Sequence, residues 1–150
     1  MRLLRDERGA SVIELGIAAP ILATFLVGMV DLSRAYSTKL QVEQAAQRTI
    51  EMVQRNGFAA GTESTLKAEA ESAAGAGSVA TVTSALECTS GATVTTKAFT
   101  GTCDTGQTPA RSVRVVIAKS YTPFFKFKWD RKTSNGTAWT VRGSAGIRVQ

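Results

Sequence analysis

A 21-residue apolar run near the N-terminus constrains this 150-residue chain more than any other feature. The run extends from Ala10 to Val30, and Glu14 is its only charged residue. An α-helix rises about 1.5 Å per residue, so a helix of this length reaches roughly 30 Å, the thickness of a bilayer's hydrocarbon core. The run therefore predicts one membrane-spanning helix over 10–30, which ends where Asp31 and Arg34 follow.

Two simpler interpretations of the run are a cleaved secretory signal and a plain membrane anchor. A secretory signal requires small residues at a cleavage site after its apolar region, whereas DLSR (31–34) follows here. A plain anchor has no use for Glu14, because a carboxylate near the centre of a membrane helix costs about 2.5 kcal/mol or more. The cost is lower near the helix end, but an ionisable residue in a membrane helix is by default a candidate functional residue.

Glu14 acquires a partner if the chain is cut between Gly9 and Ala10. Ala10 would then carry a free α-amino group, which is charged near neutral pH and lies one helical turn from Glu14. The pair can form within one chain or between parallel helices of an assembly, where hydrocarbon screens the attraction only weakly. Glu14 therefore favours a processed helix that bundles with others.

These residues together resemble a known signal. The leader MRLLRDER, followed by Gly9, Ala10 and Glu14 ahead of the apolar run, resembles the class III signal of type IV pilins and pseudopilins. The local sequences RGASVIEL (8–15) and AAPIL (18–22) are most similar to the TadE-like minor pilins of tight-adherence (type IVc, Flp) pilus systems. The acidic residues Asp6 and Glu7 depart from a purely basic leader.

The resemblance implies a role for each residue of the signal. Residues 1–9 would be a prepilin leader in the cytoplasm, Gly9 would precede the bond cut by a prepilin peptidase, and Ala10 would become the N-terminus. Glu14 would act in subunit docking. The implied partners are the prepilin peptidase, other pilin and minor pilin subunits, an inner-membrane assembly platform and membrane lipid.

The helix is predicted to continue out of the membrane, giving one long N-terminal helix over 10–55. Residues 31–54 contain neither Gly nor Pro, and Asn56-Gly57 is a stop signal. Pro20 removes a backbone hydrogen bond and predicts a kink, which membrane helices tolerate. The outer half is amphipathic, with Lys39 as a misfit on the apolar face, which comprises Leu32, Ala35, Val42, Ala46, Ile50 and Val53.

A joint over 56–77 follows the long helix. Glu63–Ala74 has the composition of a short helix, with Thr62 as its cap and Gly75-Ala76-Gly77 as its end. The alternative is a flexible linker, which the same composition also permits.

From Ser78 the apolar period changes from that of a helix to two, which predicts a β-rich head over 78–150. Strands are expected at 79–88, 92–99, 111–121 and 139–150, with turns at Ser90-Gly91 and Asn135-Gly136. The predicted fold class is α+β and pilin-like, with a small antiparallel sheet packed on the outer half of the long helix.

The two cysteines, Cys88 and Cys103, are candidates for a disulfide if the head lies outside the cytoplasm, although the sequence leaves their pairing open. The chain has no histidine, so the usual zinc sites and a Cys–His catalytic pair are excluded. No phosphate-binding glycine loop is present either. We therefore expect neither an enzyme nor a cofactor or metal site.

The segment 121–129 interleaves aromatic residues with Lys126 and Lys128. It could form an adhesive or nucleic-acid-contacting patch. The alternation favours a strand whose alternate residues, Phe125, Phe127 and Trp129, enter the core. Residues 97–150 carry a net charge of +8, which suits an anionic surface but equally serves solubility. Nucleic acid is not expected as a partner.

The sequence thus predicts a structural subunit, a minor pilin or pseudopilin that acts in pilus assembly and surface adherence after cleavage. It would be a single-pass protein of the bacterial inner membrane with its head outside the cytoplasm, and could enter the surface pilus. The large head argues for a minor subunit, because the resemblance implies a far shorter major pilin. The alternative is a membrane-anchored extracytoplasmic binding module that contacts anionic ligands or DNA.

Overall fold

The computed structural model describes residues 7–124 and 139–149, and only the backbone of residues 7–11. The described elements are two helices and four strands. In chain order they are α1 (Glu7–Asn56), α2 (Glu63–Ala74), β1 (Ser78–Ser90), β2 (Thr93–Lys97), β3 (Thr108–Tyr121) and β4 (Trp139–Val149). This is the predicted α+β class, a long apolar N-terminal helix followed by a small antiparallel sheet.

Helix α1 is continuous across Pro20. Proline has no N–H, so Pro20 cannot donate to the Gly16 carbonyl one turn earlier. The Thr24 hydroxyl donates to the Pro20 carbonyl over 2.8 Å. A bend at Pro20 stays a prediction. Within the described residues, α1 is the one helix long and apolar enough to cross a membrane, with a mean hydropathy of 2.0 over its most apolar stretch.

The outer half of α1 packs against the sheet as its periodicity predicts. Val42, Ala46, Ile50 and Val53 are buried, and Thr49 is buried with them. Because a hydroxyl in a helix can bond its own backbone, Thr49 enters this core by donating to the Ala45 carbonyl over 2.9 Å.

Two residues of the predicted apolar face behave differently from their neighbours. Leu32 is 73% exposed, although the residue before it, Asp31, is buried against the head. Lys39, the misfit, lies beside β4, where its ammonium donates to the Arg142 carbonyl. The same ammonium pairs with Glu43 over 2.6 Å, which keeps the charge satisfied at the helix–sheet edge.

Helix α2 has the bounds predicted from the sequence, which excludes a linker without structure at 63–74. The predicted cap at Thr62 was wrong in one respect. Thr62 holds the N-cap position, but its φ of −89° and ψ of 7° differ from the extended backbone of a side-chain cap, and its hydroxyl donates to the Ala59 carbonyl instead. Gly75 ends the helix with a φ of 81°, and its N–H donates to the Glu71 carbonyl over 3.0 Å.

The four strands form one antiparallel sheet in the order β2-β1-β3-β4. The face toward the helices is apolar and buried, with Ala80, Leu86, Val113, Val115 and Ile117 at its centre. Strands β1 and β2 are joined by a two-residue turn, Gly91-Ala92, one residue later than predicted. Gly91 has a φ of 58°, the positive value that the first position of a type II′ hairpin turn requires.

Strand β4 lies directly on α1. A Cβ at Gly143 would be 2.6 Å from the backbone N of Glu43 and 2.7 Å from the Val42 carbonyl oxygen, distances that side chains essentially never show. Only glycine permits this approach. At the start of β4, Trp139 lines a cavity together with Asp31 and Leu32. Strand β4 therefore begins beside the first residues of the outer half of α1.

A disulfide joins Cys88, buried in β1, to Cys103 in the loop between β2 and β3, with their Cα atoms 5.6 Å apart. Closing a loop of about 15 residues is worth roughly 3 kcal/mol in the chain-entropy account. Arg111 adds two bonds, from Nε to the Phe99 carbonyl (2.9 Å) and from a guanidinium N–H to the Gly101 carbonyl (3.2 Å). The loop over 98–107 is therefore held against the sheet.

Some of the predicted features lie outside the described residues. They are the first part of the leader (1–6), the aromatic strand continuing through Phe125, Phe127 and Trp129, the Asn135-Gly136 turn and the last residue, Gln150.

Candidate assembly site

The inner half of α1, residues 12–30, is exposed around its whole circumference. Ile21, Leu22, Val27 and Val30 point in four different directions at 100° per residue, yet each is between 38% and 60% exposed. A monomeric soluble protein rarely leaves a continuous apolar surface of this size in water. The surface therefore requires lipid or other apolar helices around it.

Glu14 is exposed near the start of this apolar surface. The predicted cleavage pair, Gly9-Ala10, lies in the first turn of α1, so the backbone places Ala10 one helical turn before Glu14. Among the described side chains, no ion pair is formed by Glu14. The Glu14 carboxylate is thus placed to pair with a cationic group, either from another chain or from the α-amino group that a cut before Ala10 would create.

The apolar half ends at a junction between α1 and the head. Asp31 follows Val30 directly and is only 9% exposed. The Tyr121 hydroxyl donates to Asp31 Oδ1 over 2.9 Å and lies 3.0 Å from its carbonyl oxygen. The backbone N–H of Phe124 donates to the same carboxylate oxygen over 2.9 Å. Two hydrogen bonds, one from the last residue of β3 and one from the segment after it, thus fix the head where the apolar run stops.

Aromatic side chains surround this junction. The Arg34 guanidinium lies 4.8 Å from the centre of the Phe124 ring, within range of a cation–π interaction. A cavity of about 210 Å³ separates the helix from the head, and its lining is almost entirely apolar. Its walls are Gly28, Asp31, Leu32, Ala35, Tyr121, Pro123 and Trp139.

Burial raises the pKa of the Tyr121 hydroxyl above its ordinary value of 10.0, and the hydrogen bond to Asp31 and the negative charge of that residue raise it further. The neutral phenol, which can donate, is therefore the form that the junction favours. On the other side of the head, a hydrogen bond from Ser84 lowers the pKa of Glu63 below its ordinary value of 4.5. The Ser84 hydroxyl lies 2.7 Å from Glu63 Oε1 and links α2 to β1.

The structure brings together some of the residues that the sequence singled out. Gly9, Ala10 and Glu14 lie on adjacent turns of α1, and Pro20 lies between them and the head. Cys88 and Cys103 are joined but lie away from this region. The Asp31–Tyr121 contact was not foreseen, since a pair 90 residues apart leaves no local pattern. The sequence signal was Asp31 itself, the first charge after the apolar run.

Across the residues that the structure describes, no three His, Cys, Asp or Glu side chains are grouped so that they could hold a metal ion. The arrangement offers an apolar surface, one carboxylate and a fixed junction, which are features suited to association.

The fold and this surface together define a class, since a long helix with a bare apolar half and an antiparallel sheet on its other half is the layout of pilin-like subunits. Residues 9–50 match the family model of TadE-like protein. The predicted resemblance is confirmed from Gly9 through the apolar run and most of the outer half, to residue 50. No curated protein matches the chain. No solved structure matches it either.

Proposed function

We propose that the chain is a minor pilin or pseudopilin of a tight-adherence (type IVc, Flp) pilus, a structural subunit that acts in assembly and surface adherence. The match of residues 9–50 to the TadE-like family model supports a structural subunit associated with this pilus. One observation carries the proposal. The inner half of α1 is apolar and exposed, whereas the head covers the outer half. The subunit can therefore associate through the inner half without disturbing the packing of the head on the outer half.

Processing is the first step of the proposed function. A prepilin peptidase cuts between Gly9 and Ala10, and the leader stays in the cytoplasm. The bond lies in the first turn of α1, and helix ends open at the lowest cost. Cleavage gives Ala10 a charged amino group one turn from Glu14, where none existed before.

Docking is the second step. In an assembly, the Glu14 carboxylate pairs with the amino group of its own or a neighbouring chain, within apolar surroundings that screen the pair weakly. The surrounding residues of the inner half pack against other pilin helices. Before assembly, the same surface lies in the lipid of the inner membrane, with the head outside the cytoplasm and an assembly platform as the partner that moves the subunit.

The test is the intact mass of the membrane-extracted protein, produced with and without the cognate prepilin peptidase. We expect residues 1–9 to be lost only when the peptidase is present. A full-length chain under both conditions would overturn the proposal. It would favour the other function, a permanently anchored module with a ligand-binding head outside the cytoplasm.

Glu14→Ala then tests docking. We expect the variant to be cleaved normally but to disappear from the sheared pilus fraction, because the amino group of Ala10 is left without its carboxylate. The matched control is Glu51→Ala, which removes an exposed carboxylate from the outer half of the same helix. Equal loss of both variants from the pilus fraction would assign the defect to general instability rather than to docking.

A further inference from the structure

The membrane-proximal end of the head presents a small aromatic surface. We call it the rim and define it as Tyr121, Pro123, Phe124 and Trp139. Phe124 is 63% exposed and Trp139 is 53% exposed, whereas Tyr121 is buried behind them. Exposed large apolar side chains grouped at one edge of the head indicate a surface that has a partner.

The position of the rim is tied to the end of the apolar run. Tyr121 and Phe124 both donate to Asp31, which directly follows the last apolar residue, Val30. Trp139 pairs with Tyr121 across β3 and β4. The position of the rim along the membrane normal is therefore tied to the position of α1. If residues 10–30 span the hydrocarbon core, the rim lies at the boundary between hydrocarbon and headgroups.

The chemistry of the rim matches that boundary. Tryptophan and tyrosine are enriched at both interfaces of membrane proteins, because their rings are apolar with one polar group that stays hydrated. Arg34 lies over the Phe124 ring at the same level, and guanidinium groups bind phosphate oxygens well. The adjoining cavity is almost wholly apolar and opens beside Leu32, which is 73% exposed.

We infer that the rim inserts into the lipid headgroup layer of the membrane that holds α1, so that the head rests on the bilayer surface until the subunit is assembled. This inference rests on the proposed function, which places the inner half of α1 in a membrane. It adds a second contact with lipid, made by residues from the C-terminal half of the chain. Moving the subunit into a filament would then require withdrawal of the rim as well as the helix.

The test is lipid-quenched fluorescence of the full chain in vesicles of phosphatidylcholine and phosphatidylglycerol. One quencher is carried at the headgroup level and another near the ends of the acyl chains. Trp129→Phe leaves Trp139 as the sole tryptophan and reports on the rim. We expect Trp139 to lose fluorescence chiefly to the headgroup-level quencher.

Two further single-tryptophan chains, built with Trp129→Phe and Trp139→Phe, provide the controls. Phe25→Trp reports on the middle of the apolar helix and should be quenched from the acyl chain ends. Val94→Trp reports on the far end of the sheet, since Val94 pairs with Thr89 and Thr89 with Thr108. The length of β3, about 43 Å at roughly 3.3 Å per residue, separates that end from Tyr121, so neither quencher should reach it.

The outcomes separate the inference from the proposed function. Quenching of Phe25→Trp without quenching of Trp139 would overturn the inference alone, and a second copy of the chain covering the rim would give that result. If neither Trp139 nor the tryptophan of Phe25→Trp were quenched, membrane insertion of α1 itself would be overturned. Quenching of Val94→Trp would show that the head lies flat or is unfolded, which also contradicts the inference. Near-ultraviolet circular dichroism that matches the parent chain confirms that each variant has folded.

Discussion

The inner and outer halves of α1 belong to one continuous helix but have opposite surroundings. In the inner half, large side chains such as Leu22 (60%) and Phe25 (63%) are exposed. In the outer half, Val42 and Ala46 are fully buried although they are much smaller. For these four residues, the larger side chains are the exposed ones. The inner half is suited to a surrounding medium of lipid or helices, and the outer half to one close partner.

The difference shows how a single helix can serve two environments. Small side chains at Val42, Ala45 and Ala46 let the sheet come near enough for Gly143 to touch the helix backbone. Gly28 in the inner half has no atom within 4 Å of where its Cβ would lie. The head is therefore fixed to the outer half by close contact, and the inner half is left free to associate. The same comparison can be tested by matched substitutions on the two halves.

The largest effect is expected from a pair of glycine substitutions. Gly143→Ala places a Cβ within 2.6 Å of backbone atoms of α1, and a backbone cannot rotate away as a side chain can. We expect the free energy of unfolding of the head to fall by about 3 kcal/mol, the upper part of the range for overpacked sites. The measurement is thermal and denaturant unfolding of the full chain in mild detergent, followed by near-ultraviolet circular dichroism.

Gly28→Ala is the control for that experiment. It adds the same methyl group in open space within a helix, so the stability of the head should not fall. Equal destabilisation by the two substitutions would mean that the inner half is as tightly packed as the outer, and the comparison would fail.

A pair of valine substitutions is expected to have the next largest effect. Val42 is fully buried, and Val42→Ala leaves a cavity, at an expected cost of about 2 kcal/mol in the same unfolding measurement. Val27, in the inner half, is 38% exposed, and Val27→Ala should leave the stability of the head unchanged. A loss at Val27 comparable to that at Val42 would show that the head also depends on the inner half.

The elements of this fold were largely predictable because their signals are local. The bounds of α2 and the alternation of β1, β3 and β4 follow from the spacing of apolar residues and from glycine punctuation. The length of the apolar run and its single charge, Glu14, likewise indicated the candidate site.

The residues that the sequence did not explain all make contacts with distant parts of the chain. Lys39 is satisfied by the Arg142 carbonyl, 103 residues away, and Asp31 is buried by Tyr121, 90 residues away. Gly143 looked like one small residue in an alternating strand, whereas its role depends on where α1 lies. Packing partners decide such roles, and no local pattern records them.

The boundary between the halves can be tested at Asp31. Asp31→Ala leaves the Phe124 N–H without its acceptor and removes one of two acceptors near the Tyr121 hydroxyl. Because this site borders solvent, we expect a cost of about 1 kcal/mol in head stability. The more specific consequence is looser coupling of the head to the helix, measured as faster amide hydrogen exchange at 121–124. Ser33→Ala, an exposed neighbour, should change neither quantity.

The smallest expected effect is a pH dependence at the same junction. The raised pKa of Tyr121 means that the folded state holds the phenol proton more tightly than the unfolded state does. The stabilisation is complete below the unfolded value of 10.0 and is lost as the pH rises through the higher folded value. Titration of the tyrosinate absorbance in Tyr36→Phe, which leaves Tyr121 as the sole tyrosine, measures that value directly.

Adding Asp31→Asn separates the two causes of the shift. The amide keeps an oxygen acceptor for Tyr121 but removes the negative charge, so the pKa should move only part of the way back toward 10.0, because burial remains. An unchanged pKa would mean that the Asp31 charge does not act on Tyr121. A value already at 10.0 in Tyr36→Phe would mean that the hydroxyl is hydrated in solution, and the outer half of α1 would then begin to hold the head only beyond Asp31.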